Sequence, residues 1–405
     1  MSTALSARPQ LKHLTAALNE LRQKGTYFRL RTLEGEQGAI STYDGKQVIN
    51  LASNNYLGLC NHPKLEEAAA QAIKDYGVGS GAVRTIAGTM RIHMELEEKI
   101  ARFKNVEACV VFQSGFTANA GTVSSILSKE DFILSDELNH ASIIDGARLS
   151  RAKIKVFRHK DVAHCEELLK EIADQPGRKL IITDGVFSMD GDIGPVDQLC
   201  DVADKYGAIM MVDDAHASGV LGRNGRGSVD HFNCHGRVDV QVGTLSKAIG
   251  ALGGYVCGSK DLIDYLYHRA RPFLFSTSHP PSVAATCIAA FDLLEQEPER
   301  IERLWNNTRY FKQELGRLGF DIGGKTTPAS ETPITPIIVG DGSATMTFSR
   351  ALFDAGVMAT GIGFPTVPEG KARIRTIMTS EHTRPQLDRA LETIENVGRK
   401  MGILS

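Results

Sequence analysis

From about residue 108 the chain alternates short runs rich in apolar and β-branched residues with longer stretches of helical periodicity. ACVVF is followed by TANAGTVSSILS, DFILS by SIIDGARLSR, IKVFRH by AHCEELLKEIADQ, LIITDGVF by VDQLCDVADKYG, and AIMMVDDAH closes the series. Strands separated by helical segments of this length require crossover connections, which predicts a mostly parallel sheet covered by helices on both faces. Two more apolar runs, VDVQVGTL and ALGGYVCG, read as interior strands on either side of GTLSKAIG.

Upstream, Leu11, Leu14, Leu18 and Leu21 recur at helical spacing up to Gly25, predicting an amphipathic helix that packs on another surface. A polar stretch with turn signals, TYDGKQVINLASNNYLGL, leads to a helix of HPKLEEAAAQAIKDYG type. Downstream, helices are predicted near KDLIDYLYHRARPF and SVAATCIAAFDLLEQE, followed by the long polar helix EPERIERLWNNTRYFKQELGRLG. Beyond it, PITPIIVGD and ARIRTIMT read as strands, and SRALFDAG and QLDRALETIENVGRKMG as helices of a smaller α+β domain. The expected division is an N-terminal helix and extended segment over 1–60, a large domain over 61–295 and a small C-terminal domain over 296–405.

With 405 residues, 42% of them hydrophobic, the chain can bury two cores. A net charge of -2 with scattered lysine and arginine argues against nucleic-acid binding and against an anionic-membrane surface. Seven dispersed cysteines without a CxxC pair fit a reducing cytoplasm. The first residues form no apolar signal region and no run of transmembrane length occurs, so a cytoplasmic protein is expected.

Every strand of the predicted sheet ends in polar groups, and ligands gather at that edge of a parallel sheet. Lys247, between two apolar runs, would be costly as a buried ammonium and would form Schiff bases readily; its bland alternative is a surface turn. Asp213 stands at the mouth of AIMMV and needs a cationic or hydrogen-bonding partner there; a helix cap by Asp213 or Asp214, or a metal site of Asp213, Asp214 and His216, are the alternatives. Ser114, Gly115 and Phe116 join a strand to a helix whose first N–H groups form an anion cradle or a plain turn. His140 could stack on a flat ligand or serve as a cap. HExxH, GxSxG and GxGxxG are all absent, which disfavours a zinc hydrolase, an acyl hydrolase and a nicotinamide oxidoreductase. A Schiff-base lysine, a carboxylate, a phosphate cradle and a stacking ring together describe a cradle for pyridoxal 5′-phosphate.

SNNYLGL, SDELNHASIIDG, TDGVFSMDGD, MVDDAHASGVLG, GTLSKAIG, RPFLFSTS and ARIRTIM jointly resemble the α-oxoamine synthases, pyridoxal-phosphate enzymes of aminotransferase fold type I. The resemblance runs over nearly the whole chain. It implies that Lys247 carries the cofactor as an imine and moves the substrate α-proton, that Asp213 pairs with the pyridine nitrogen, and that His140 stacks on the ring as a catalytic and substrate-binding residue. It implies further that Ser188 and His216 address the phenolic oxygen, and that Ser114, Gly115, Phe116 and Thr244 surround the phosphate. Ser276 and Thr277 would reach the cofactor of a partner subunit, making a homodimer with sites at the seam. Asn54 and Arg375 would grip the amino-acid carboxylate, with Thr366 joining the substrate set. NNY, VRTIAGT and FPTVPEGKARIRT resemble the members that condense glycine with acetyl-CoA, the glycine C-acetyltransferase type. The alternatives are members that make 8-amino-7-oxononanoate from L-alanine and a pimeloyl thioester, members accepting several acyl-CoAs, and a non-catalytic module that only binds the cofactor.

Overall fold

A computed structural model describes residues 9–404; residues 1–8 of the expected N-terminal segment, and residue 405, lie outside the described residues. The alternating pattern folds as expected. Strands β1 (Ile40–Tyr43) and β2 (Lys46–Asn50) precede β3 (Ala108–Phe112), β4 (Phe132–Asp136), β5 (Lys153–Phe157), β6 (Lys179–Asp184), β7 (Ile209–Asp213), β8 (Val240–Thr244) and β9 (Gly254–Gly258). The last seven form one sheet in the order β3-β9-β8-β7-β6-β4-β5, in which β9 alone runs antiparallel to its neighbours.

Both faces of this sheet are buried, and the two-residue period divides its side chains between separate cores. Met211, Ile182, Leu180 and Val242 pack in one cluster, whereas Met210, Val212 and Ile181 pack in the other. Because β3, β4, β6, β7 and β8 point the same way, their C-terminal ends share one edge. That edge carries Ser114, the loop from Asp136 to His140, Asp184 to Ser188, Asp213 to His216, and Thr244 to Lys247.

The smaller C-terminal sheet is antiparallel: β10 (Ile334–Gly340) and β12 (Thr360–Ile362) flank β13 (Ala372–Ile377), while β11 (Val357–Met358) pairs with β2. The polar stretch that advertised only turns contains the β1–β2 hairpin. Its Asp44-Gly45 corner has both residues at positive φ (50° and 75°), the geometry of a tight two-residue hairpin turn. The β2–β11 pairing ties residues 40–50 to the C-terminal part of the chain, and Ile377 N–H bonds to Leu51 O in the same seam. The first helix, α1 (Lys12–Gln23), carries Leu14, Leu18 and Leu21, with Leu11 at its N-cap, all at 42–49% exposure, so within one chain its apolar stripe has no cover. Among the described residues no helix is long and apolar enough to cross a membrane.

Candidate active site

The site begins with a division of labour between adjacent carboxylates at the end of β7. Asp214 turns into the protein, where Lys104 Nζ lies 2.8 Å from its Oδ2 and both side chains are fully buried. Lys104 also donates to Arg226 O, and the Ser228 hydroxyl donates to Asp214. Gly227, at φ 104°, is needed here because a Cβ would fall 2.0 Å from Asp214 Oδ2. Burial alone would lower the Lys104 pKa, but Asp214 outweighs it and the ammonium is held well above its ordinary value.

Asp213 faces the other way, into the strand-end edge. Its Oδ1 accepts the Ala215 N–H at 2.8 Å, as a local cap would, and its Oδ2 accepts Asn119 Nδ2 at 2.6 Å. The three groups that a metal reading of VDDAH required are thus dispersed: Asp214 belongs to Lys104, and His216 Nδ1 meets the Tyr56 hydroxyl at 2.8 Å. Among the described residues no cluster of three His, Cys, Asp or Glu side chains could hold a metal ion.

The Lys247 side chain is mostly buried and its ammonium has no hydrogen bond or ion pair to any described residue. Loss of water drives its pKa down to about 8, with Arg375 acting in the same direction and Asp213 and Asp184 against it. A lysine with a substantial neutral fraction near physiological pH is ready to bond a carbonyl carbon. Nearby, burial and the negative charge of Asp213 push the Asp184 carboxyl well up, while the His140 N–H that it accepts at 2.8 Å pulls the other way.

His140 caps helix α2 (Ala141–Ser150), its Nδ1 accepting Ser142 N–H, yet its ring remains exposed at the open side of the cluster. Partial withdrawal from water lowers its pKa, a fall that Asp213 opposes and Lys247 assists. His216 is held well below its ordinary range by burial first, then by Lys247, Arg375 and His140. Arg375, on β13, crosses from the small sheet: its Nε donates to Ser188 O at 2.6 Å and both terminal nitrogens stand 3.4 Å from Asn54 Oδ1.

At the anion cradle, Ser114 caps the helix over Gly115–Ile126, its Oγ accepting Thr117 N–H at 3.1 Å. The first N–H groups of that helix, on Gly115 and Phe116, have no intrahelical acceptor. The helix start lies directly on β9, where a Cβ on Gly254 would come within 2.5 Å of Gly115 N. Thr244 is buried beside it, its Oγ1 bonded to Gly253 O and Ser246 Oγ.

The fold therefore brings together Lys247, Asp213, His140, His216, Ser188, Asn54 and Arg375, with Ser114, Gly115 and Thr244 at the helix start. It does not tie in three others. Thr366 is exposed and bonded only within its own turn, Thr277 is exposed and forms a bridge to Val83, and half-buried Ser276 has no side-chain bond to the cluster. Sequence reasoning passed over Asn119, Asp184, Ser142 and Tyr56. The available signals were a lone amide inside the small-residue run TANAG, a carboxylate ending LIITD, and a tyrosine inside SNNYLGL.

These features fit pyridoxal 5′-phosphate on structural grounds: an unpartnered, pKa-lowered lysine, a carboxylate with an aligned donor, and open helix N–H groups on one edge. Known proteins agree. The aminotransferase class I and II family model matches residues 46–394. The 8-amino-7-oxononanoate synthase of Symbiobacterium thermophilum is 58% identical over 391 residues, covering 96% of this chain and 98% of the relative. That of Thermoanaerobacter pseudethanolicus is 54% identical over 400 residues, 99% and 100% of the two chains. Among solved structures, a lysine-to-alanine variant of serine palmitoyltransferase from S. paucimobilis, with a bound pyridoxal phosphate–myriocin aldimine, superposes with a TM-score of 0.92 at 31% identity, over 98% of this chain and 99% of that one. The 8-amino-7-oxononanoate synthase of Francisella tularensis gives 0.73 at 28% identity, over 87% and 98%. The chain belongs to the class I and II aminotransferase family, and within it to the pyridoxal-phosphate-dependent α-oxoamine synthases, which join an amino acid to an acyl thioester.

Proposed function

We propose that this protein condenses L-alanine with a pimeloyl thioester, releasing carbon dioxide and the free thiol and forming 8-amino-7-oxononanoate. The observation that carries this reading is identity of 54–58%, over at least 96% of the chain, to relatives bearing that name. The motifs NNY and VRTIAGT favoured glycine and acetyl-CoA, but short motifs carry less weight than agreement over the full length.

When bound, pyridoxal 5′-phosphate supplies an electron sink for negative charge developing at the amino-acid Cα. Lys247 would hold the cofactor, and its amine would take and return the substrate α-proton, a task suited to a pKa of about 8. Asp213, fixed by Asn119 and Ala215, would pair with the pyridine nitrogen and favour its protonated form. His140 would lie against the cofactor, while His216, braced by Tyr56, and Ser188 would serve its phenolic oxygen. Ser114, Gly115, Phe116 and Thr244 receive the phosphate at the helix start. Arg375 and Asn54 grip the substrate carboxylate, a bidentate task for which lysine has the wrong geometry. Ser276, Thr277 and Thr366 complete the site from a partner subunit and from the small-domain loop. Phe116, Leu252 and Phe275, at 47%, 52% and 69% exposure within one chain, support a homodimer that covers them.

Thiol release with L-alanine and pimeloyl-CoA, run beside glycine and acetyl-CoA, tests the assignment. The first pair should give a kcat/KM higher by roughly tenfold or more, the scale on which pockets distinguish neighbouring apolar groups. The reverse ranking would return the enzyme to the glycine type, and cofactor binding without thiol release from either pair would make it a carrier. In the same assay Arg375→Ala should raise KM for the amino acid by at least about tenfold while leaving KM for the thioester nearly unchanged. Equal effects on both would remove Arg375 from the carboxylate site.

A further inference from the structure

We propose that Asn119 and Ser142 are positioning residues that hold His140 as a neutral imidazole with its proton on Nε2, making the ring a hydrogen-bond donor and excluding it as the base. The part this ring plays in turnover rests on the function proposed above; its tautomer does not.

The Asp213 carboxylate offers only acceptors. The Asn119 atom 2.6 Å from Asp213 Oδ2 must therefore be the amide nitrogen, and that choice fixes the whole side chain. Its orientation leaves Asn119 Oδ1 buried without a partner, a cost that the contact to Asp213 outweighs. Asn119 Nδ2 then spends its second hydrogen on Ser142 Oγ at 2.9 Å. With Ser142 Oγ already accepting, its own hydrogen is free to turn to His140 Nδ1, 2.7 Å away.

A second donor meets the same atom. Ser142 N–H lies 3.2 Å from His140 Nδ1, and a backbone N–H can only donate. Two donors converge on Nδ1, so that nitrogen presents its lone pair and the proton of the neutral ring sits on Nε2. A second proton on the ring would have to displace the Ser142 hydrogens. The charged and titratable groups facing the ring are Asp213, which favours the imidazolium, Lys247 and His216, which oppose it, and Asp184, engaged by the His140 backbone N–H. With one nitrogen occupied and the other protonated, the ring has no lone pair left for a substrate proton. That leaves Lys247 as the group able to take it, and His140 Nε2–H as a donor to an acceptor atom of the ligand.

Nitrogen-15 spectroscopy of histidine-labelled, cofactor-loaded, full-length protein reads this directly, with the His140 signals identified by their loss in His140→Gln. Around neutral pH the wild type should give a pyridine-like Nδ1 and a pyrrole-like Nε2. Ser142→Ala removes the hydroxyl donor and should move the tautomer ratio roughly tenfold toward Nδ1–H, the scale of one hydrogen bond, and raise the ring pKa. Asn119→Ala frees the Ser142 hydroxyl to turn away and should produce a smaller shift of the same sign; it decides the matter if Ser142→Ala does not fold. A wild-type ring that is charged or protonated on Nδ1 near neutrality, or spectra unchanged in both variants, would overturn the proposal. Failure of every substrate pair in the thiol assay would instead count against the function and leave the tautomer result standing.

Discussion

Lys247→Ala should cost turnover by roughly 10⁴-fold, at the upper end of what a positioned proton-transfer group contributes, because the variant loses both the cofactor's anchor and the proton carrier. The protein should still fold, since the Lys247 side chain makes no hydrogen bond or ion pair whose loss would leave a partner stranded. In the wild type, the rate at which cofactor-free protein takes up pyridoxal 5′-phosphate should rise with pH through about 8, because only the neutral amine attacks an aldehyde. An ordinary lysine would place that midpoint about two units higher. Turnover within tenfold of wild type in Lys247→Ala, or an uptake midpoint above 10, would mean that another lysine does the work.

Lys104→Ala should be the most damaging single change to stability. It leaves Asp214 charged and fully buried without its cation, a defect that costs about 3–5 kcal/mol. The Arg226 carbonyl loses a donor at the same time. Chemical denaturation of the cofactor-free protein would measure this against surface ion pairs such as Lys260–Asp264, whose removal should cost less than about 1 kcal/mol. The contrast bears on function, because the Lys104 pair is what turns Asp214 inward and leaves Asp213 as the carboxylate of the site. A loss below about 1 kcal/mol for Lys104→Ala would show that the pair does not anchor the end of β7.

The parallel sheet and its chemical edge were legible because two signals coincided: apolar runs of strand length, and polar groups at each of their C-terminal ends. AIMMVDDAH illustrates both, since a strand buried on both faces reads as a continuous apolar run and its carboxylates mark where burial stops. What periodicity could not give was partnership. It offered no way to tell Asp213 from Asp214, since that depends on Lys104, about 110 positions earlier in the chain, reaching one of them. Asn119 was hidden for the same reason: inside TANAGTVSSI a short amide looks like a tolerated small residue until Asp213 and Ser142 are seen on either side of it. The β1–β2 hairpin escaped notice because part of what holds it, the pairing of β2 with β11, comes from some 300 residues downstream. Acyl-chain preference was least legible of all, because the motifs shared across the family are those that hold the cofactor.

The proposed carrier of the cofactor is Lys247, at the edge where β8 ends. Borohydride treatment of cofactor-saturated protein, followed by digestion and mass spectrometry, should find the pyridoxyl group on the peptide containing GTLSKAIG and on no other. A pyridoxyl group on a different lysine, or none in saturated protein, would contradict the account.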